Sequence, residues 1–106
     1  MPRYLIHAQY TAQGLKGLLN EGGSGRREAV RKATEAMGAR LEAFYFAFGD
    51  DDTISIVNGG DNVGAAAASL TASASGAVRT KVTVLLTPEE IDEAVKRNVI
   101  YRPPGG

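Results

Sequence analysis

The sequence predicts an α+β domain with a four-stranded antiparallel sheet and both main helices on one face of it. Four short segments alternate between apolar and polar residues, two segments with helical spacing separate them, and an acidic turn joins the middle two strands. The chain has 106 residues, 43% of them hydrophobic, which is the size of one compact domain. Right-handed crossovers and the order strand, helix, strand, strand, helix, strand indicate the βαββαβ arrangement of ferredoxin-like folds.

The first strand and the long helical region after it follow from residue spacing. Residues 3–11, RYLIHAQYT, alternate loosely between two faces. One face carries Tyr4, Ile6, Ala8 and Tyr10, and the other carries Arg3, Leu5, His7 and Gln9. Helical spacing begins at Thr11, breaks at Gly22 and Gly23, and resumes until Gly38. We interpret EGGSGRR, residues 21–27, as a kink rather than an anion site, because phosphate-binding loops follow strands and this segment follows a helix.

The second and third strands form a hairpin, and the second strand is apolar on both faces. It comprises LEAFYFAF, residues 41–48, and the turn GDDD connects it to TISIVN, residues 53–58. Phe44, Phe46 and Phe48 can face the helices, while the opposite positions are Leu41, Ala43, Tyr45 and Ala47. Because large apolar patches mark association or ligand surfaces, we predict a sheet-to-sheet homodimer or higher homo-oligomer with a small cavity at or near the interface.

The remaining segments complete the domain. Asp61 is the predicted N-cap of an alanine-rich helix whose apolar stripe comprises Val63, Ala67, Leu70 and Ala74. Residues 77–86, AVRTKVTVLL, form the fourth strand, with Arg79, Lys81 and Thr83 on one face. Thr87 to Glu90 is a capping box that predicts a short terminal helix. We assign residues 1–106 to one domain, with residues 99–106 as an extended Pro/Gly-rich tail.

Composition argues against several classes of protein. Twelve basic residues balance twelve acidic ones, so we expect neither a nucleic acid nor a membrane surface as a partner. The absence of cysteine excludes disulfides, thiolate nucleophiles and cysteine-ligated metals. No apolar run approaches the roughly 20 residues of a membrane span, and the N-terminus does not have the pattern of a signal peptide. We therefore expect a cytoplasmic protein. Separately, we expect no cofactor.

Nearly the whole chain resembles the GYD domain family, which has a ferredoxin-like fold of the dimeric α/β-barrel type. The resemblance rests on YT at positions 10–11 with Gly14 soon after, on LEAFYFAFGDDD, on VRTKVTVLLTPEE and on the tail YRPPG. The family's namesake motif is glycine, a variable residue, tyrosine and aspartate; Gly49 and Asp52 match it, and Asp51 stands in the tyrosine position. Relatives with this fold include cofactor-free monooxygenases, isomerases, dehalogenating and haem enzymes, and small-molecule-binding modules, so the fold alone does not select a function.

The candidate site residues lie on the predicted helix-free face. His7, the only histidine, is a candidate general base, or alternatively a hydrogen-bonded interface residue. Tyr45 and Gln9 are candidate ligand-binding residues on the same face, although Tyr45 also suits an interface aromatic. Arg79 and Lys81 would suit a carboxylate or enolate ligand; the alternative is that they protect an edge strand from aggregation.

The acidic turn supplies one further candidate. Asp50 and Asp51 suit turn positions, where short carboxylates bond to nearby backbone amides. Asp52 begins the third strand at a position where the family's motif has aspartate, and we predict that its side chain lies at the cavity rim as a second catalytic candidate; the alternative is a cap or a salt bridge. We expect no metal site built from His7 and the three aspartates, because adjacent strand residues point to opposite faces.

These observations predict a small oligomeric domain that binds an anionic or carbonyl-bearing organic molecule in a pocket on the uncovered sheet face. Two alternatives stay open. One is a cofactor-free isomerase or monooxygenase-type enzyme with His7 as its base. The other is a structural or regulatory oligomer without a pocket.

Overall fold

The fold is known from a computed structural model, which describes residues 2–47 and 49–106. The elements in chain order are β1 Arg3–Tyr10, α1 Ala12–Ala36, β2 Ala39–Phe46, β3 Thr53–Gly59, α2 Asn62–Ala74, β4 Val78–Leu85 and α3 Pro88–Lys96. The strands form one antiparallel sheet in the order β2-β3-β1-β4. This arrangement confirms the predicted ferredoxin-like α+β fold, including the short terminal helix.

The two main helices share one face of the sheet and lie above its outer strands. α1 packs mainly on β2 and α2 packs on β4, so the central strands β1 and β3 form the floor between them. Gly22 has a φ of 78° inside α1, which confirms the predicted break in the helix. The Thr11 side chain accepts a hydrogen bond from the Gly14 N–H and caps α1.

A β-bulge in β2 changes which of its residues face the helices. Leu41 pairs with Val57, which lies beneath the helices, whereas Ala43 pairs with Ile56 on the opposite face. The prediction that Leu41 lies on the uncovered face was therefore wrong, because the extra residue of a bulge reverses the alternation. Phe44 faces the helices as predicted, and its ring packs edge-on against that of Phe46 at 5.3 Å between centroids. Phe48 lies outside the described residues.

The orientation of α2 also differs from the expectation. Val63 and Leu70 are 78% and 72% exposed, so the predicted apolar stripe faces solvent. The residues that α2 turns toward the sheet and the space beside it are small: Gly64, Ala65, Ala68, Ser69 and Ala72. Small side chains let the helix approach β4 closely, and the Ser69 hydroxyl shares a hydrogen bond with Thr80. The close approach of the two backbones, rather than the size of the apolar side chains, therefore decides which side of α2 faces the sheet.

The C-terminal part of the chain extends from the body of the domain. Thr87 and Glu90 exchange two hydrogen bonds, of 2.9 and 3.1 Å, which confirms the predicted capping box at the start of α3. Hydrogen bonds that the Glu90 carboxyl accepts from Thr87 hold the pKa of this carboxyl below its usual value. α3 packs closely on no other element of the described chain, and residues 98–106 are exposed and contain neither helix nor strand.

Candidate functional site

The uncovered face of the sheet presents its side chains in rows, one residue from each strand. One row consists of Tyr45, Ile54, His7 and Lys81. The next row consists of Ala43, Ile56, Leu5 and Thr83. Directly paired residues on one face have Cβ atoms about 4.5–5.5 Å apart, so His7 lies between Ile54 and Lys81, and Tyr45 lies one strand beyond. The structure thus brings His7, Lys81 and Tyr45 together on one surface.

His7 forms the most notable side-chain contact on this face, with Asp51. The distance from His7 Nδ1 to Asp51 Oδ2 is 2.8 Å, and the two side chains are only 19% and 22% exposed. An ionised carboxylate can only accept a hydrogen bond, so Nδ1 is the donor and the neutral ring keeps Nε2 as an acceptor. A carboxylate at this position orients the imidazole, which is an arrangement that a general base can use.

Asp51 is the site residue that sequence reasoning missed. We assigned it to turn chemistry, but the turn folds back over the end of β1 and places this carboxylate beside His7. The Asp52 N–H donates to the Ala8 carbonyl oxygen at 2.9 Å, which continues the pairing of β1 with β3 into the turn. The one signal in the sequence was that Asp51 replaces the tyrosine of the family motif.

The other residues at the turn hold it in place. The Asp52 Oδ2 accepts a hydrogen bond from the Tyr10 N–H at 2.8 Å, and the Gln9 side-chain amide donates to the Asp50 carbonyl oxygen. These contacts give Asp52 and Gln9 structural roles, while catalysis by Asp52 and ligand binding by Gln9 stay predictions. Within residues 2–47 and 49–106, no three His, Asp or Glu side chains are grouped to hold a metal ion.

The charges on this face are unevenly neutralised. At one end, Arg3 forms an ion pair with Glu42 at 3.1 Å, and hydrogen bonding to Arg3 lowers the pKa of Glu42. At the other end, Arg79 and Lys81 are exposed, and neither forms an ion pair with another described residue. Lys81, which pairs directly with His7, therefore places a positive charge beside the imidazole.

A single chain leaves this site open to solvent. Tyr45 is 70% exposed, and no helix packs on this face in the described part of the chain. A cleft that one chain forms by itself lies on the other side of the sheet, between α1 and α2. The predicted interfacial pocket would thus need a second molecule to close it.

The fold and site define a ferredoxin-like α+β domain with a histidine–aspartate pair on the open face of its sheet. The sequence matches the GYD domain family over residues 4–95, and the chain belongs to that family. Comparisons with curated proteins and with solved structures found no match. In the described residues, no helix combines the length and apolar character needed to cross a membrane.

Proposed function

We propose that this protein is a homo-oligomer that binds a small anionic or carbonyl-bearing organic molecule between uncovered sheet faces. His7 contacts the ligand, and Asp51 holds the imidazole in position. The observation that carries the proposal is the 2.8 Å contact between these two side chains on a face that a single chain leaves open. A carboxylate-oriented imidazole next to exposed positive charge suits a ligand with a carbonyl or carboxylate group.

Two apolar surfaces support assembly with a second copy. The centre of the uncovered face consists of Leu5, Ile54 and Ile56, which occupy adjoining positions in the sheet. In addition, α3 exposes Ile91 and Val95, which are one turn apart and 46% and 75% exposed. A helix of nine residues is marginal in water without tertiary packing, so α3 also needs a partner surface.

Replacing Ile56 with lysine tests the assembly. Burying an unpaired charge at the centre of the interface is unfavourable, so we expect Ile56→Lys to dissociate the oligomer into folded monomers. Val63→Lys is the matched control, because Val63 is exposed on the other side of the domain. Light scattering after size-exclusion chromatography reports the masses. An Ile56→Lys variant with the wild-type oligomeric mass would argue against a sheet-to-sheet interface.

The second candidate function is proton transfer by a cofactor-free isomerase or monooxygenase-type enzyme, and the His7–Asp51 contact favours it specifically. In this mechanism, His7 Nε2 removes a proton from carbon next to a substrate carbonyl. The C–H bonding pair forms the enolate, whose negative oxygen lies near Lys81, and Asp51 stabilises the imidazolium. An isomerase acting on a β,γ-unsaturated carbonyl compound then returns the proton to the γ carbon of the dienolate, and the C=C bond moves to the α,β position.

Deuterium exchange separates binding from this chemistry. Acetoacetate and other small β-keto acids can be incubated with the protein in D2O and followed by NMR. Exchange faster than the buffer rate, and lost in His7→Ala, would support the enzyme, whereas saturable binding without such exchange would support the binding module. An oligomer that neither binds nor exchanges any of these acids would favour the structural alternative.

A further inference from the structure

A second concave site lies on the helix side of the sheet, opposite His7. α1 lies over β2 and α2 over β4, and the gap between them is a cleft of about 540 Å³ above β1 and β3. Its floor includes Ile6, Ala8 and Val57, and its walls include Val30 from α1 and Ala68 from α2. Small-molecule sites are typically clefts of about 300–1,000 Å³ with mainly apolar walls.

Packing energetics argue that this cleft has an occupant. Tyr4, Ala8 and Val57 are the only apolar residues in the described chain that are buried, and none of them is fully buried, so the helices do not seal a dense core over the central strands. Apolar walls offer water few hydrogen-bonding partners, and a cavity that is left empty forfeits dispersion contacts. An apolar molecule in the cleft would supply the missing dispersion contacts and would replace water that the apolar walls cannot hydrogen-bond.

The polar groups at one end of the cleft indicate the chemistry of the occupant. Tyr10 and Arg26 both line the cleft near the end of β1. Burial raises the pKa of the Tyr10 hydroxyl, and the positive charge of Arg26 acts in the opposite direction. Arg26 is the only basic residue among the described residues that line the cleft, and its ion pair with Glu21 is long, at 3.5 Å. A partly exposed ion pair of this kind contributes little to stability, so a ligand carboxylate could replace Glu21.

We propose that the cleft binds an elongated apolar organic acid, with a hydrocarbon or aromatic body over β1 and β3 and its carboxylate at Arg26. The neutral Tyr10 hydroxyl donates a second hydrogen bond to that carboxylate. Asp61 lines the opposite end of the cleft and would repel an acid in the reversed orientation. This site is independent of the proposed function at His7, and the two can fail separately.

Isothermal titration calorimetry on the full chain can use dodecanoate and dodecanol as probes. Both are kept below the concentration at which dodecanoate forms micelles. We expect dodecanoate to bind once per chain. Ala68→Phe, which fills the cleft, should weaken binding at least about tenfold, which corresponds to roughly 1.4 kcal/mol. Val63→Phe, on the exposed face of the same helix, should leave the affinity unchanged.

A second variant tests the position of the carboxylate without filling the cleft. Arg26→Gln should weaken dodecanoate binding about tenfold and change dodecanol binding little. Any one of three results would overturn the proposal. The wild type could show no saturable binding, Ala68→Phe and Val63→Phe could lose equal affinity for dodecanoate, or Arg26→Gln could lose equal affinity for both probes. Dissociation of an oligomer at saturating dodecanoate would also overturn it, because it would assign the cleft to a second copy of the chain.

Discussion

Replacing Gly14 with alanine is expected to lower the free energy of unfolding by about 1–3 kcal/mol, the usual cost of forcing extra volume into a packed site. A Cβ at this position would lie 2.0 Å from the Ala77 carbonyl oxygen and 3.3 Å from Tyr10 Cβ. The first distance is far inside van der Waals contact with a main-chain atom, so the backbone itself must move. Chemical denaturation, monitored by circular dichroism, measures the loss.

Gly17 is the matched control for this substitution, because it lies one turn further along α1 and has no atom within 4 Å of an added Cβ. Gly17→Ala should raise the stability by up to about 1 kcal/mol through helix propensity alone. The two variants should differ in stability because the start of α1 lies against the beginning of β4. There the Thr11 N–H donates to the Ala77 carbonyl oxygen at 3.0 Å. Equal stabilities for the two variants would show that this contact is not made.

His7→Ala is expected to weaken binding of small carboxylates and β-keto acids by about 10- to 100-fold, because a hydrogen bond to a charged group contributes about 1.5–3 kcal/mol. Asp51→Asn should weaken binding of the same acids through a different cause. It keeps the shape of the side chain but removes the charge that fixes and stabilises the imidazole. Titrations with acetoacetate, followed by fluorescence or calorimetry, measure both losses.

The imidazole itself provides a second measurement. Because His7 is the only histidine, its ring signals in an NMR spectrum are identified without a full assignment. Asp51→Asn should shift these signals, as should Asp51→Tyr, which restores the residue of the family motif. Asp50→Asn is the control, since the Gln9 contact uses the main-chain carbonyl of residue 50. Ring signals and affinities that respond equally to Asp50→Asn and Asp51→Asn would argue against the pair.

The sequence was sufficient to predict the order of the elements because each one carries local signals. Alternation marks the strands, and Thr87 with Glu90 marks the start of α3 through a local capping box. The bulge in β2 has no such signal, so the side on which Leu41 lies could not be predicted from alternation. The side of α2 that faces the sheet depends on how closely the helix backbone approaches β4. This tertiary effect leaves Leu70 exposed to solvent.

The candidate site could be predicted only in part, because local signals place side chains on a face but do not reveal contacts between distant segments. Alternation alone placed His7, Tyr45 and Lys81 on one face, because strand residues with period two share a side. The partner of His7 is 44 residues away in the sequence, and its position depends on how the acidic turn folds over β1. Asp51 and Asp52 are neighbours with similar local signals, yet one contacts the imidazole and the other caps the Tyr10 N–H.

Native mass spectrometry of the freshly purified protein tests the central claim most directly, because one spectrum reports the subunit count and any bound molecule. The account predicts a homodimer or a larger homo-oligomer that carries a small organic adduct, and it predicts that His7→Ala keeps the assembly and loses the adduct. A monomer without any adduct would contradict the claim that the uncovered sheet faces close around His7 and Asp51.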